Sequence, residues 1–463
     1  MRSLLPALLA GSALVAPGPA FAQSQEVAEL QQQIAAMQAE IARLAGKVEE
    51  LQAKEQARDA AEAEPAAQAL APAAAPAPAS TPAPAPDAPR ISWKGAPEVS
   101  APGGWSFKPR GRLQIDSATI NAPASVEAGN SLGFATEFRR AFLGVEGSLP
   151  GNFGYRMEVD VATSAIELTD VFLTYKPTDK LTLTVGQHKP FWGLEELTSD
   201  LFTSMLERAA FNSAFNFERR VGLSGVYANK DLLVQLGAFT GNAKDLNSDS
   251  NNSYSFDGRV VYAPEIGEGR LHIGGSAHFR DLNDAATSVR YRARPFFHTT
   301  DVRLVDTGNI PATGERSFGA ELAYVQGPFH ATIEGHQITT LRPGLSNPTF
   351  QGGYAELGMI VTGDNTTYRG GAYDRIRPEN PVSKGGIGAV QLNVRYDRID
   401  LNDEDIVGGL QQAAGLSAIW IPEDYVRFIL NYGHLWVSDA AVPAGTDPNY
   451  QVDTFGMRAQ FDF

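Results

Sequence analysis

The stretch FGYRMEVDVA, residues 153–162, alternates apolar and polar side chains without a break. Its odd-numbered residues are apolar, and the residues between them are small or charged. Because side chains of a β-strand point alternately to its two faces, this period predicts a strand with one apolar and one polar face. Residues 270–280 and 426–436 repeat the pattern. Period two alone does not separate a soluble sandwich from a membrane barrel, whose polar face lines a lumen.

The turns between these segments favour the membrane barrel. Several segments end in an aromatic residue directly before a tight turn, and these residues are Tyr175, Tyr227, Tyr262, Tyr324 and Trp420. Aromatic residues at one edge of successive strands form the interfacial girdle of an outer-membrane barrel. The other segment ends lead into long polar loops, such as 241–253, 282–314 and 438–450. Short turns at one end and long loops at the other are typical of this class.

The alternating segments predict an all-β fold, a sixteen-stranded antiparallel transmembrane β-barrel with both chain ends on the short-turn side. The predicted strands lie near 105–120, 135–149, 153–163, 169–176, 181–188, 220–228, 232–240, 254–263, 270–281, 316–325, 329–340, 351–362, 387–398, 413–421, 424–437 and 451–463. One connection, 363–386, departs from the rule because it is long although it falls on the short-turn side.

The composition limits the function. The chain has 463 residues and no cysteine, which excludes disulfides and thiolate metal sites. Its formal net charge of −15 argues against nucleic acid as a partner. Its 45 glycines suit a β protein that is rich in turns.

Residues 1–22 have the three parts of a secretory signal peptide. Arg2 supplies positive charge, Leu4 to Val15 is apolar, and Ala20 and Ala22 are small residues that permit cleavage. Prolines and glycines in this stretch argue against the alternative, a buried N-terminal helix. No later apolar run reaches the roughly 20 residues of a membrane helix. We therefore predict export to the outer membrane of a Gram-negative bacterium, which the chain crosses as a closed barrel.

Residues 23–58 are predicted to form a periplasmic α-helical coiled coil. Its apolar residues alternate spacings of three and four, and they are Val27, Leu30, Ile34, Met37, Ile41, Leu44, Val48 and Leu51. One helix alone cannot bury so narrow a stripe, so the pattern requires copies of itself. The β-branched residues at the a positions favour two strands, but they do not exclude three. The alternative is an amphipathic helix packed on the barrel.

Residues 59–92 are predicted to be a linker, and residues 93–463 the barrel. The part from 59 to 90 contains 15 alanines and 8 prolines without periodicity, so it cannot bury a core. Such a linker is long enough for the coiled coil to contact the cell wall.

The last predicted strand ends on an aromatic residue. Phe455, Met457, Ala459, Phe461 and Phe463 share one face of this strand. A terminal aromatic residue on an alternating strand is the kind of signal that outer-membrane assembly machinery recognises. We interpret Phe463 as an assembly signal.

The barrel segment resembles the phosphate-selective porin O and P family over most of residues 105–463. The resemblance is densest at RRAFLGVEG (139–147), GQHKPF (186–191), LEELTS (194–199), LER (206–208), RIDLND (398–403) and YVRFILNY (425–432). Members of that family are sixteen-stranded trimers whose third external loop folds inward and narrows the pore. The resemblance implies a homotrimer in outer-membrane lipid and the passage of small anions, phosphate or related ones.

Loop three, residues 189–219, is predicted to form the pore constriction. Ser199 to Glu207 is predicted to be a short helix with Ser199 as its N-cap. Guanidinium groups in a confined pore attract anions and bind phosphate oxygens. The residues predicted to line the constriction and bind anions are Ser199, Arg208, Arg219 and Arg220. The alternative is that these arginines pair with Glu195, Glu196, Glu207 and Glu218 and hold the loop against the wall.

A second arginine group in loop five forms either an external anion funnel or solvated loop surface. Its members are Arg290, Arg292, Arg294 and Arg303.

Two features depart from the family and weaken strict phosphate specificity. From residue 91 onward, 8 Lys and 24 Arg face 43 Asp and Glu, a net charge of −11. Asp200 also stands where the family's loop has a small hydroxyl residue.

Three functions fit the sequence. The first is passive diffusion of small hydrophilic solutes with anion preference, which needs no catalytic residue, cofactor or metal. The second is a hydrolase built on the barrel, but none of the seven histidines lies in a nucleophile motif. His330 and His336 share a strand face about 20 Å apart, too far for one metal ion. The third, a tether to the cell wall, is compatible with the first. The sequence favours a porin that is not an enzyme.

Overall fold

The computed structural model describes residues 89–127, 130, 132–163, 165–245 and 251–463. The chain divides into two units, Met1–Ala83 and Pro84–Phe463, and every described residue belongs to the second. The predicted signal peptide, the predicted coiled coil and the linker up to residue 88 lie outside the described residues.

Within the described residues, sixteen antiparallel strands form one closed sheet. They are β1 (Trp105–Asn121), β2 (Gly133–Leu149), β3 (Phe153–Asp160), β4 (Glu167–Thr178), β5 (Leu181–His188), β6 (Arg220–Ala228), β7 (Leu232–Phe239), β8 (Tyr254–Tyr262), β9 (Gly269–Asp281), β10 (Gly314–Gln326), β11 (Phe329–Leu341), β12 (Thr349–Ile360), β13 (Ala389–Asp403), β14 (Ile406–Glu423), β15 (Val426–Ser438) and β16 (Tyr450–Asp462). Each strand pairs with its neighbour in the chain, and β16 pairs with β1. Closure leaves no unpaired sheet edge for lipid to cover. The predicted all-β class and strand number are confirmed.

Shorter elements flank the barrel and lie in its loops. Arg90–Trp93 and Pro97–Ala101 form a hairpin that continues onto β1, so a strand begins within the predicted linker. The helices are α1 (Ala124–Glu127), α2 (Leu194–Leu197) and α3 (Ala210–Ala214), with 3-10 turns at Ala243–Asp245 and Val382–Lys384. Two-residue strands lie at Glu265–Ile266, Ser288–Val289, Arg292–Ala293, Val305–Asp306, Ile310–Pro311, Tyr368–Arg369 and Ala372–Tyr373. Over the described ranges, the helices are all too short or too polar to cross a membrane.

The strands separate an apolar outer face from a polar lumen. On β16, Met457 and Phe461 point outward and are 47% and 48% exposed, whereas Arg458 between them is 1% exposed. Apolar side chains also point outward on other strands, as Leu223 and Leu416 do. An outer apolar band around a polar interior is what a lipid environment requires.

The two faces are reversed at the long-loop end, where the lumen holds an apolar core. Loop three and loop five (282–313) turn inward and bury Phe211 and Tyr291. The wall opposite them presents apolar side chains to the lumen, and Ile399 and Leu401 of β13 are both 0% exposed. The inner face of a barrel strand is therefore polar where it meets water and apolar where a loop covers it.

The predicted strands near 387–398 and 413–421 were too short. Residues 399–412 do not form an external loop, because β13 and β14 continue to a two-residue turn at Glu404 and Asp405. Glu404 takes a positive φ of 53°, which a tight hairpin turn requires. The added strand length is stabilised by the apolar contacts that Leu401 makes with the core beneath it.

Phe463 continues the pairing of β16 with β1. Its N–H donates to the Gly111 carbonyl at 3.0 Å, and the Gly111 N–H donates to the Phe463 carbonyl at 3.2 Å. Its ring lies 5.8 Å from that of Phe461. The proposed role of Phe463 as an assembly signal stays a prediction.

Two glycines that face each other, Gly335 on β11 and Gly353 on β12, test the register between these two strands. A Cβ at Gly353 would lie 2.6 Å from the main-chain oxygen of Glu334, whereas a Cβ at Gly335 would have Gly352 O as its nearest neighbour, at 3.6 Å. Gly353→Ala is expected to destabilise the barrel by about 1–3 kcal/mol through overpacking. Gly335→Ala is expected to match wild type or gain slightly, because it restricts the unfolded chain. Urea midpoints, followed by heat-modifiable migration in gels, measure both, and equal midpoints would contradict the register.

Candidate functional site

Donors from the barrel wall hold the main chain of loop three. Arg427 donates to the carbonyls of Leu201 and Thr203 at 2.8 and 2.6 Å. Arg458 donates to the carbonyl of Leu206 at 2.7 Å. Both arginines are buried in the wall. These contacts satisfy carbonyls that have no partner within the loop.

The predicted helix from Ser199 to Glu207 was therefore wrong. A helix would use the carbonyls of this segment for its own i to i+4 hydrogen bonds, but wall arginines occupy them. The helices of loop three are α2 and α3 on either side of the segment. Ser199 instead opens a turn, in which its carbonyl accepts from the Phe202 N–H at 2.9 Å.

Carboxylates hold the remainder of the loop. Glu195 accepts from the Ala209 N–H at 2.8 Å and from Asn212 Nδ2 at 2.9 Å. Asp397 of the wall accepts from the Ala210 N–H at 2.8 Å. These carboxylates satisfy N–H groups at the start of α3. Arg395 of the wall lies 2.6 Å from Glu195 and fastens it to the barrel.

Two cavities follow the lumen on the two sides of loop three. The inner cavity has a volume of about 440 Å³ and is bounded by the first strands, loop three and the connection 361–388. Its charged lining residues are Lys108, Arg110, Arg112, Arg156, Lys189, Arg219 and Arg375, with Glu146, Asp170, Asp200, Asp374 and Asp462. The outer cavity, about 130 Å³, lies beside loop five. Its charged lining residues are Arg139, Arg140, Arg208, Arg294, Glu207 and Asp397.

A row of basic side chains on the first strand was missed in the sequence. Lys108, Arg110 and Arg112 occupy alternate positions of β1 and all line the inner cavity. The signal was present as period two in the run KPRGR at 108–112, which places all three on one strand face. Because these residues lie far before loop three in the chain, the sequence alone does not relate them to the constriction.

A β-bulge adds two more cations from β2. Gln114 of β1 faces Arg140, but Ile115 faces Phe138, so Arg139 is the extra residue. A bulge lets two consecutive residues approach the same face. Arg139 and Arg140 accordingly both line the outer cavity.

Most of the lining cations have carboxylate partners. Arg110 lies 2.9 Å from Glu158, and Arg219 lies 2.6 Å from Asp170. Among the described residues, Lys108 has no ion pair within 4.0 Å, and its side chain is half-buried at the cavity wall. Partners are needed because a buried cation without one costs several kcal/mol.

The predicted constriction residues fall into two groups. Ser199 and Arg219 line the inner cavity, and Arg208 lines the outer cavity. Arg208 also holds the loop, since it donates to the carbonyls of Glu195 and Thr198 at 3.0 and 2.8 Å. Arg208 therefore holds the loop and also lines a cavity, and its role in anion binding stays a prediction.

Arg220 lies apart from both cavities. Its side chain is 2% exposed and sits 5.7 Å from the Trp192 ring. Its guanidinium lies 3.4 Å from Ser255 Oγ, and Glu218 is 4.0 Å away. This position packs the end of loop three against the wall.

The four loop-five arginines are spread over the loop. Arg294 lines the outer cavity and donates to the Thr300 carbonyl at 2.8 Å. Arg290 pairs with Asp306, 2.5 Å apart, at the exposed surface. The other two face away from the cavities: Arg292 is exposed, and Arg303 donates to the Asp301 carbonyl at 2.8 Å.

The long connection at the short-turn end, 361–388, borders the inner cavity. Its Arg375 pairs with Asp462 and lies 4.6 Å from the Tyr425 ring and 5.1 Å from the Phe202 ring. The Tyr373 N–H donates to Thr198 Oγ1 at 3.2 Å, which joins the connection to loop three. Its unusual length in the sequence is explained by these inward contacts.

The described histidines and carboxylates do not form a metal site. In the part of the chain that the structure describes, no three His, Asp or Glu side chains are grouped so as to hold a metal ion. His330 pairs with Glu356 at 3.1 Å and His336 with Glu334 at 3.3 Å. Both histidines are buried in the barrel wall, and each contacts a carboxylate through its Nε2.

The sequence is similar to a family of known proteins. The family model for phosphate-selective porin O and P matches residues 107–463. An uncharacterised protein of Caulobacter vibrioides is 44% identical over 385 residues, 81% of this chain and 77% of that protein. Porin O of Pseudomonas aeruginosa is 28% identical over 398 residues, 77% of this chain and 87% of that protein.

Solved structures show the same fold. OmpT, an outer-membrane protein of Vibrio cholerae, superimposes with a TM-score of 0.52 at 11% identity, over 78% of this chain and 98% of OmpT. A trimer form of OmpT superimposes with a TM-score of 0.50 at 11% identity, over 78% of this chain and 100% of OmpT.

The free energy of unfolding of the barrel is expected to fall as the pH rises. Burial raises the pKa of Glu195 to about 7, and the nearby Glu334 and Glu356 add to the rise against the opposing effect of Arg395. The folded state therefore favours the protonated carboxyl. This contribution to stability is complete below the pKa of an unfolded glutamate and is lost as the pH rises through about 7.

Urea midpoints at pH of about 5.5 and about 8.5 test this effect. The wild-type midpoint is expected to fall more than that of Glu195→Gln, which keeps an acceptor for the Ala209 N–H. A matched Glu218→Gln variant, at the half-exposed end of the loop, is expected to keep the wild-type difference. Equal falls in wild type and Glu195→Gln would contradict the assignment.

Proposed function

We propose that this chain, which belongs to the phosphate-selective porin O and P family, is an anion-preferring porin for passive diffusion of small hydrophilic solutes. The observation that carries the proposal is the basic row of β1, together with Arg140 and Arg156, along the path through the cavities. The family makes the protein an outer-membrane channel, and the anion preference is our inference from these side chains.

The electrostatics of the path support anion preference in a chain that is acidic overall. Seven basic and five acidic side chains line the inner cavity, and four arginines and two acids line the outer one. A wall of low dielectric strengthens the field of each charge inside the cavity. The side chains of Arg156 and Arg219 are 32% and 22% exposed, so a solute can reach them. Basic side chains are in excess in both linings, so the acidic excess of the chain lies outside them.

The geometry favours small solutes. The outer cavity, about 130 Å³, is smaller than the inner cavity of about 440 Å³. Guanidinium groups offer paired N–H donors to carboxylate or phosphate oxygens. Phosphate and related small oxyanions are the solutes that this lining fits best.

We also propose a homotrimer with its N-terminal segment in the periplasm. The heptad stripe of residues 26–58 requires copies of itself, and OmpT of Vibrio cholerae, which shares the fold, has a trimer form. A trimer of the chain supplies three copies of this stripe. In the periplasm these segments would also be able to contact the cell wall.

A charge-matched pair of double variants tests the anion preference. Lys108→Gln with Arg156→Gln removes two cations from the path and leaves Glu146 and Asp170 with other arginine partners. The reversal potential in a tenfold KCl gradient is expected to move towards cation selectivity, because two positive charges leave a low-dielectric path.

The control is Arg292→Gln with Arg303→Gln, which removes two cations from loop five outside the cavities. Arg292 is exposed, and salt screens such a charge within about 10 Å at 0.1 M, while Arg303 is half-buried and donates to the Asp301 carbonyl. The reversal potential is therefore expected to stay near the wild-type value. If the reversal potential shifted in the loop-five variant and not in the Lys108 variant, the selective charges would lie in loop five, and the proposal would be wrong.

A further inference from the structure

Asp200 of loop three lies between a cation of the inner cavity and a cation of the outer cavity. Its carboxylate contacts Arg112 Nη1 and lies 2.6 Å from Arg140 Nε. Arg112 lines the inner cavity and Arg140 lines the outer one. The ion pairs of Asp200 therefore link the linings of the two cavities.

Other groups also hold the two arginines. The Arg112 guanidinium lies 4.7 Å from the Phe142 ring and 3.4 Å from Glu158. Arg140 donates from Nη1 to Gln114 Oε1 at 2.9 Å. These contacts are independent of the carboxylate between the arginines. Both guanidinium groups are therefore expected to keep their places when that carboxylate is replaced.

The main chain of Asp200 is held separately from its side chain. Its carbonyl accepts from Gln114 Nε2 at 3.2 Å. The next carbonyl, of Leu201, accepts from Arg427 and from Gln460 Nε2 at 2.8 and 3.1 Å. A change of side chain at position 200 is therefore expected to leave loop three in place.

The Asp200 carboxylate stays ionised. Burial by itself would raise its pKa, but Arg112 and Arg140, with Arg208 and Lys189, outweigh burial and hold the pKa well below the usual range of an aspartate. Protonation therefore does not empty the site between the arginines at any pH near neutrality. Another anion has to take the place of the carboxylate.

We propose that Asp200 is a tethered competitor of the permeating anion, and that its carboxylate occupies an anion-binding site formed by Arg112 and Arg140. The proposal rests on the proposed anion passage. Guanidinium N–H groups that converge on two carboxylate oxygens suit small oxyanions with at least two acceptor oxygens, either carboxylates or phosphates. Exchange with Asp200 keeps the binding of such an anion weak. Weak binding lets the anion leave, as conduction requires.

The experiment measures block of chloride current through the full-length channel by inorganic phosphate, and separately by acetate. In Asp200→Asn the half-blocking phosphate concentration is expected to fall about tenfold or more, because the competing charge is gone. Asp374→Asn is the matched control, since it removes a carboxylate that lines the same cavity but accepts from the Arg375 N–H instead. The control is expected to stay within a factor of about two of wild type. A shift with one probe alone would assign the site to that anion.

A second variant shows whether the gain comes from this site. Adding Arg140→Gln to Asp200→Asn is expected to remove the gain in block. An unchanged half-blocking concentration in Asp200→Asn, or an equal fall in Asp374→Asn, would overturn the proposal while anion passage stands. Wild-type channels without anion current would instead overturn the proposed function. If neither Asp200→Asn nor Asp200→Ser gave a heat-modifiable barrel, the carboxylate would be a folding requirement and the proposal would be wrong.

Discussion

Closure of the sheet is the constraint on which the remaining structure depends. The pairing of Arg112–Asn121 with Asp453–Asp462 gives the main-chain groups of the first and last strands partners within the barrel. In lipid, an unpaired N–H or C=O costs several kcal/mol, so an open sheet of this length is excluded. Once the sheet is closed, alternate side chains have to face a lumen. That lumen then needs polar lining, buried ion pairs, or a loop that fills it.

Buried charge links the stability of the lumen to its proposed function. Arg427 and Arg458 hold the carbonyls of loop three, and Glu195 holds its N–H groups. Charges taken out of water need partners, so most of the lining cations are matched by a carboxylate or a carbonyl. Arg208 shows that one side chain can fix the loop and line the path as well. Removing such a group is therefore expected to alter folding and selectivity together.

Period two, together with the aromatic turns and the long loops, was enough to predict the barrel but not the interior of its long-loop end. The alternation fixed the strand number and most strand bounds because it depends on local geometry alone. The inward-facing Ile399 and Leu401 follow instead from loop five, which lies about a hundred residues earlier in the chain. The helix predicted from Ser199 failed for the same reason, since its competitors for hydrogen bonds are wall arginines far along the sequence. Lys108, Arg110 and Arg112 were within reach of sequence reasoning, because their spacing places them on one strand face.

In the proposed function, the positive potential of the cavity linings determines which ions pass through a protein that is acidic overall. The most direct measurement is the reversal potential of the wild-type channel in a planar bilayer under a tenfold KCl gradient. The reversal potential is expected to have the sign of an anion-selective channel, because basic side chains outnumber acidic ones in the linings of both cavities. A cation-selective or unselective reversal potential would contradict it, since the overall acidic charge of the chain, and not the lining of its cavities, would then govern permeation.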